Sequence, residues 1–266
     1  MKRMAVLLSL FALPLVVCAG QADSAQTYWS QWRGPQGTGT APNGNPPLEW
    51  SEEKNVRWKV VIPGKGHASP IVWGDKVFVL TAIPKEASKA EGGGRSGPEP
   101  VPSQFAILAI DRQSGKTIWQ RTAREEKPHE GTHPDGSWAA NSPVADGEHI
   151  YAYFGSRGLY CYDMNGELKW QKDLGDMQTR NGFGEGSSPA LYGDALVINW
   201  DHEGDSFVAV LDKKTGEERW RATRDEVTSW STPIVVEVNG KAQVIVNATN
   251  RVRSYDLESG ELVWEC

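Results

Sequence analysis

The chain has 266 residues, is 39% hydrophobic and carries a formal net charge of −6. That is enough apolar material for one substantial core, and the acidic balance argues against nucleic acid or an anionic membrane surface as the partner. Three cysteines without framework spacing exclude a disulfide-stapled scaffold.

Met1-Lys2-Arg3 is a short basic start, and Ala5–Val17 is an apolar run of signal-peptide length, too short for a comfortable membrane span. Ala19, Gly20 and Ala22 offer cleavage sites, and residues 1–25 are read as a signal peptide. Cleavage after Ala25 takes Lys2, Arg3 and Asp23 away and leaves −7. The implied location is periplasmic or secreted, with envelope association left open and no membrane span after signal removal. A lipid anchor at Cys18 is the disfavoured alternative, because Val17 stands where a small residue is needed. Cys161 lies on a strand between apolar neighbours and reads as a buried, inert thiol.

Residues 26–66 form an N-terminal segment that ends in an apolar strand, N-V-R-W-K-V-V-I at Asn55–Ile62, with Trp58 at its centre. Residues 67–266 then repeat one unit four times: 67–122, 140–173, 186–222 and 230–266. Each unit opens on a small residue and proline: Ser69-Pro70, Ser142-Pro143, Ser188-Pro189, Thr232-Pro233. An apolar strand, a tight Gly/Asp/Asn turn and a returning strand follow, which is a hairpin signature. A third strand runs into an aspartate, a polar glycine turn follows, and a fourth strand ends in tryptophan. The phrase reads A-I-D-R-Q-S-G-K-T-I-W at Ala109–Trp119, and the same pattern closes on Trp170, Trp220 and Trp264, at spacings of 51, 50 and 44.

Four antiparallel strands per 45–50 residues, without a helical period, predict an all-β fold: a β-propeller of four-stranded blades, about four of them present. In the phrase, Asp111, Asp163, Asp212 and Asp256 are placed to accept turn N–H groups. Gly115, Gly166, Gly216 and Gly260 allow positive φ, and Trp119, Trp170, Trp220 and Trp264 are large enough to fill the gap to a neighbouring blade. These residues are expected to build the fold and not a site. Trp58 is expected to dock in the same way, on a ring-closing strand. The other three strands of its blade are missing from the sequence, so the chain is expected to be a fragment, incomplete at its C-terminus. The alternative, a closed four-bladed ring, leaves Asn55–Ile62 as an orphan apolar strand.

The phrases resemble the pyrroloquinoline-quinone-type (PQQ-like) propeller repeat with its tryptophan docking motif, over Gly66 to Trp264. The resemblance implies a quinoprotein alcohol dehydrogenase-like ring of seven or eight blades. The family holds periplasmic quinoprotein dehydrogenases and non-enzymatic propellers similar to the outer-membrane assembly lipoprotein BamB. Q-W-R-G-P-Q-G-T-G at Gln31–Gly39 is similar to a secreted bacterial branch of it.

Strand order puts the loops before each first strand, and those between second and third strands, on one face. That mouth gathers His67, His129, His133, His202, Arg157, Glu185 and Glu203, whereas the other face has only short turns, so any site is expected at the mouth. A metal reading there uses His129, His133, Asp201 and His202, in H-E-G-T-H-P-D and D-H-E-G-D; imidazole with carboxylate suits zinc, and carboxylates alone suit calcium. A cofactor reading uses Trp138, Arg180, Asn181 and Trp230 for stacking and polar contacts to PQQ, with calcium, as the resemblance implies for a dehydrogenase oxidising alcohols or sugars. The sequence has no adjacent cysteine pair, which counts against that class. A third reading takes the same rim as a binding surface for a protein, peptide or glycan, with Trp and Arg as anchors. Trp138 and Trp230 packing under their own loops is the bland alternative. Ala82–Gln104 is low in complexity and reads as a mobile insertion. The favoured function is a non-catalytic binding or scaffold propeller.

Overall fold

Apolar residues in the second and third strands of each repeat run nearly unbroken, as in Phe105–Ile110 and Phe207–Leu211. Such strands are buried on both faces, and they form the middle of each sheet. The computed structural model describes residues 27–41, 43–87, 97 and 99–266. The expected signal peptide, Cys18 and part of the Ala82–Gln104 insertion lie outside the described residues. Among these described residues, sixteen strands make four sheets. They are β1 (Ile71–Trp73), β2 (Lys76–Pro84), β3 (Ser103–Asp111) and β4 (Thr117–Glu126); β5 (Val144–Ala145), β6 (His149–Tyr153), β7 (Leu159–Asp163) and β8 (Leu168–Lys172); β9 (Ala190–Tyr192), β10 (Ala195–Trp200), β11 (Ser206–Asp212) and β12 (Glu218–Arg224); β13 (Ile234–Val238), β14 (Lys241–Asn247), β15 (Val252–Asp256) and β16 (Leu262–Glu265). Each sheet is antiparallel and runs in chain order, first strand to fourth, which is the expected blade. The two strands flanking the insertion reach further than expected: Ala82, Ile83 and Pro84 pair with Phe105, Gln104 and Ser103.

The core lies in the seams between blades. Phe78, Leu80 and Phe105 of the first blade pack with Ile150, Phe154 and Tyr160 of the second. Tyr153, Leu159 and Cys161 meet Leu196, Ile198 and Trp200, and Val197, Val208 and Val210 meet Val244, Val246 and Tyr255. Burial pushes the Cys161 thiol up to about 12, so it stays protonated and inert at neutral pH.

Every repeat element has a mechanical task. The indole N–H of Trp119 donates to Met164 O at 3.3 Å, that of Trp170 to Lys213 O at 3.0 Å and that of Trp220 to Leu257 O at 2.7 Å. Each acceptor is the residue just after the next blade's aspartate. The ring then lies on that blade's glycine: a Cβ on Gly166, Gly216 or Gly260 would come within 2.9, 2.7 and 2.6 Å of Trp119, Trp170 and Trp220. All three glycines also have φ between +73° and +81°. The aspartates bind their own turns: Asp111 Oδ1 accepts Ser114 N–H at 2.7 Å, and Asp256 Oδ1 accepts Ser259 N–H at 2.9 Å. The Ser114 hydroxyl, with its N–H, holds the Asp111 carboxyl below the usual range, and the Ser259 N–H does the same for Asp256. The Ser/Thr-Pro openers form a relay across blades, with Ser69 N–H to Ser142 Oγ at 2.9 Å, Ser142 N–H to Ser188 Oγ at 2.8 Å and Ser188 N–H to Thr232 Oγ1 at 3.0 Å.

Trp58 has its N–H on Arg112 O at 3.0 Å and its ring on Gly115. Val60 and Ile62 pack beside it against Ala106, Leu108 and Ile110. The segment Asn55–Ile62 nevertheless joins no sheet among the described residues, because no third strand of a blade lies alongside it. Trp58 occupies the place on Gly115 that a closed four-blade ring would give to Trp264. Trp264 instead remains 39% exposed and bonds Gln243 within its own sheet.

Ahead of this segment, residues 27–41 form a strap across the innermost strands. Val72 N–H donates to Trp29 O at 2.7 Å, and Ala145 N–H to Ser30 O at 2.9 Å. Tyr28 packs on Trp73, with ring centroids 5.5 Å apart.

Two glycines with similar backbone separate strain from collision. Gly216 (φ +73°) faces Trp170, while Gly193 (φ +55°) has open space where a Cβ would go. Gly193→Ala is expected to cost about 1–2 kcal/mol from the left-handed backbone alone. Gly216→Ala should cost about 1–3 kcal/mol more, as overpacking displaces the indole. Urea unfolding of both variants measures the difference, and equal losses would contradict the docking account.

Candidate functional site

The mouth is filled by charged side chains that hold its loops. Arg157 comes from a single 3-10 turn, Gly155–Arg157, and is almost wholly buried. Its Nη1 and Nη2 donate to His129 Nδ1 at 3.0 and 2.8 Å, and His129 Nε2 donates to Met177 O at 2.6 Å. This network places the imidazole proton on Nε2 and occupies both ring nitrogens. Glu126 Oε1 lies 3.1 Å from Arg157 Nε. Beside it, Glu185 accepts Ser156 N–H at 2.7 Å and Ser156 O–H at 2.5 Å, and Ser156 Oγ accepts Met177 N–H at 2.8 Å. Gly155 has to be glycine here, since a Cβ would sit 1.4 Å from Glu185 Oε2. Burial pushes the Glu185 carboxyl above its ordinary value, against the pull of Ser156 and Arg157.

The third and fourth blades repeat the theme with other residues. Asp201 and Arg224 form a buried two-pronged pair, at 2.8 and 3.2 Å, and Arg224 Nη1 also donates to Tyr255 OH at 2.8 Å. Glu226, also buried, accepts the N–H groups of Asn250 and Arg251 at 2.9 and 3.2 Å and ties down that loop. Glu130 accepts Thr179 O–H at 2.6 Å, and Glu203 accepts Thr228 O–H at 2.8 Å. Arg180 N–H then donates to Thr228 Oγ1 at 2.8 Å, linking adjacent loops.

The four residues of the metal reading are not brought together. His129 is held by Arg157 and Met177 O, and Asp201 by Arg224. His202 Nδ1 accepts Gln178 N–H at 3.1 Å while its Nε2 meets Asp205 O at 3.3 Å. His133 stands apart, edge-on to Phe183. Among the described residues, no three His, Cys, Asp or Glu side chains group to hold a metal ion. The residues of the cofactor reading do converge, on the loop around Gly184. Trp138 donates to Glu130 O in its own loop at 3.0 Å, whereas Trp230 crosses to Gly184 O of the neighbouring blade at 2.7 Å. Arg180 and Asn181 are exposed on a 3-10 turn of that loop, where Asn181 has φ +56°. The cavity beside Trp138, lined by Phe154, Arg157 and Glu185, measures about 10 Å³. That is room for one water, so this cavity does not admit a flat tricyclic quinone.

Clefts of about 250, 200 and 680 Å³ lie against the strap, over the short turns and innermost strands. The sequence signal for them was the Trp-, Gly- and Pro-rich stretch Gln31–Gly39. It carries no strand or helix period, so its position was not legible.

The family described as outer membrane protein assembly factor BamB matches residues 103–266. No curated protein matches the chain. Among solved structures, quinohemoprotein alcohol dehydrogenase ADHIIG from Pseudomonas putida HK5 is 14% identical, with a TM-score of 0.55, 92% of this chain covered and 40% of that one. Quinohemoprotein alcohol dehydrogenase from Comamonas testosteroni is 13% identical, with a TM-score of 0.49 and coverage of 77% and 35%. BamB from Moraxella catarrhalis is 18% identical, with a TM-score of 0.44 and coverage of 79% and 66%. At 14% identity the likeness to the first of these shows the fold alone, and the chain spans less than half the length of both dehydrogenases.

Two variants test the mouth. Arg224→Met strands a buried carboxylate and is expected to cost about 3–5 kcal/mol in urea unfolding. Glu185 gives a pH signature. Its folded pKa is raised, so its stabilising contribution is present at low pH and lost as pH rises through the folded value. Wild type should therefore gain stability relative to Glu185→Gln when pH falls from neutral towards the ordinary carboxyl range. A pH-independent difference would contradict this.

Proposed function

Because the chain belongs to the family of the outer membrane protein assembly factor BamB, we propose that it is a non-catalytic, extracytoplasmic propeller that binds a protein partner at its loop-rich mouth. Residues 1–25 direct export on this reading, and no helix among the described residues is long and apolar enough to cross a membrane. The observation that carries the proposal is the division of labour at the mouth. The acids, His129, His202 and the arginines beneath it brace loops, while Trp230, 45% exposed, bonds Gly184 O of a loop that is fixed from both sides and carries the exposed Arg180 and Asn181. An exposed tryptophan and arginine on a rigid support are the residue types that anchor protein interfaces, and prior rigidity lowers the ordering cost of binding.

The test uses the full-length protein in its own host, with a photo-crosslinking residue in place of Asn181 and, as control, in place of Glu218 on the outer strand β12. A discrete protein adduct from position 181 is expected, absent from 218. In Arg180→Ala/Trp230→Ala its yield should fall about tenfold or more, at a temperature where circular dichroism shows the variant folded. Equal adducts from both positions, or an adduct indifferent to the double variant, would sink the reading. So would dye reduction with alcohols or sugars that depends on added PQQ and calcium.

A further inference from the structure

The strap shows how this fold holds a peptide. Its Trp29 and Ser30 carbonyls accept the N–H groups of Val72 and Ala145, on the free inner edges of β1 and β5. In an antiparallel hairpin, alternate residues turn both backbone groups away from the partner strand. Trp73↔Lys76 closes the first hairpin across a two-residue turn, which leaves Val72 facing outward. Tyr192↔Ala195 closes the third hairpin with the same loop length, so Leu191 faces outward in the same way. In the fourth, Val238↔Lys241 closes the turn and Val235 faces outward. Among the described residues no backbone acceptor meets the N–H of Leu191 or Val235.

These two edges border an existing cleft. A cavity of about 200 Å³ is lined by Trp32 and Pro35 of the strap and by Leu191, Tyr192, Ile234 and Val235 of the two strands. Tyr192 and Ile234 are 37% and 41% exposed. The cleft continues into the 680 Å³ space over the second and third blades, which shares Leu191, Tyr192 and Pro35. It therefore joins the surface already occupied by the strap.

We infer that the inner edges of β9 and β13 form a second binding site, for an extended peptide segment of a partner protein that adds to them as the strap adds to β1 and β5. Backbone carbonyls of the peptide accept from Leu191 and Val235, and an aromatic or branched side chain enters the cleft beside Trp32 and Ile234. The strap is the argument for a polypeptide over a glycan or small molecule, because these equivalent edges already hold one. Main-chain bonds of this kind supply affinity, and the flanking pocket supplies selectivity. The site lies apart from the Trp230 rim and does not depend on it.

The probe is a fluorescent synthetic peptide with the strap sequence, Thr27–Gly39, added to the intact full-length protein and followed by anisotropy. One bound peptide per chain is expected, with slowed hydrogen exchange at the Leu191 and Val235 amides. Proline is tolerated where a strand N–H faces outward, so Leu191→Pro and Val235→Pro remove one donor each without breaking the ladder. Each should weaken binding about tenfold, whereas Leu191→Ala, which keeps the N–H, should stay within about threefold. If one proline variant fails to fold, the other and the wild-type exchange measurement decide. Absence of binding overturns the proposal. Binding that ignores both prolines but responds to Val72→Pro also overturns it, by showing displacement of the strap. Concentration-dependent dimerisation that protects the same amides overturns it too, by giving the edges to a second copy.

Discussion

An indole lying flat on a bare glycine is the contact on which the rest of this structure depends. Trp119, Trp170 and Trp220 each cover a glycine of the following blade and bond the residue after its aspartate. The glycine is required twice over, for its positive φ and for the missing Cβ. Because the apolar core lies in the seams, no blade buries its own faces alone. Stability is then a sum of neighbour interactions, close to the one-dimensional behaviour of repeat proteins. The hydroxyl relay of Ser142, Ser188 and Thr232 adds a second tie near the axis, so adjacent blades are joined at both radii.

The polar interior follows from that frame. Seams fixed at the Trp-Gly contacts bring long loops together at the mouth, and buried charge there must find partners. Arg157 with His129, Arg224 with Asp201 and Glu226 with two loop amides are solutions to that demand. They hold the loops still, and so leave Arg180 and Asn181 exposed on a braced turn. A module built this way can change its outer rim without disturbing the network beneath.

The blade was legible because its periodicities are local. Hairpin turns, the Asp-to-Gly offset and the closing tryptophan all lie within one repeat, and even Trp58 could be assigned its docking role by analogy. The mouth was legible only as an inventory. His129 looked like a ligand candidate because its partner, Arg157, sits in a different loop 28 positions later, and nothing in either segment announces the pair. Trp138 and Trp230 looked equivalent, yet one bonds its own loop and the other the next blade's. The relay of openers was visible as a Ser/Thr-Pro pattern, but its purpose depends on inter-blade geometry. The strap left no period to read, so the clefts beside it were missed.

The strap also bears on the order in which the molecule can assemble. Trp29 and Ser30 leave the ribosome before any blade exists, yet Val72 lies 43 positions downstream and Ala145 lies 115 positions downstream. The first hydrogen bond can close once one hairpin is complete, and the second only after the next blade has seated. Long-range closures of this kind come late in folding. A chain made vectorially therefore carries Trp29 and Ser30 without both partners until Ala145 has been synthesised, and the seating of the strap reports that the first two blades have joined.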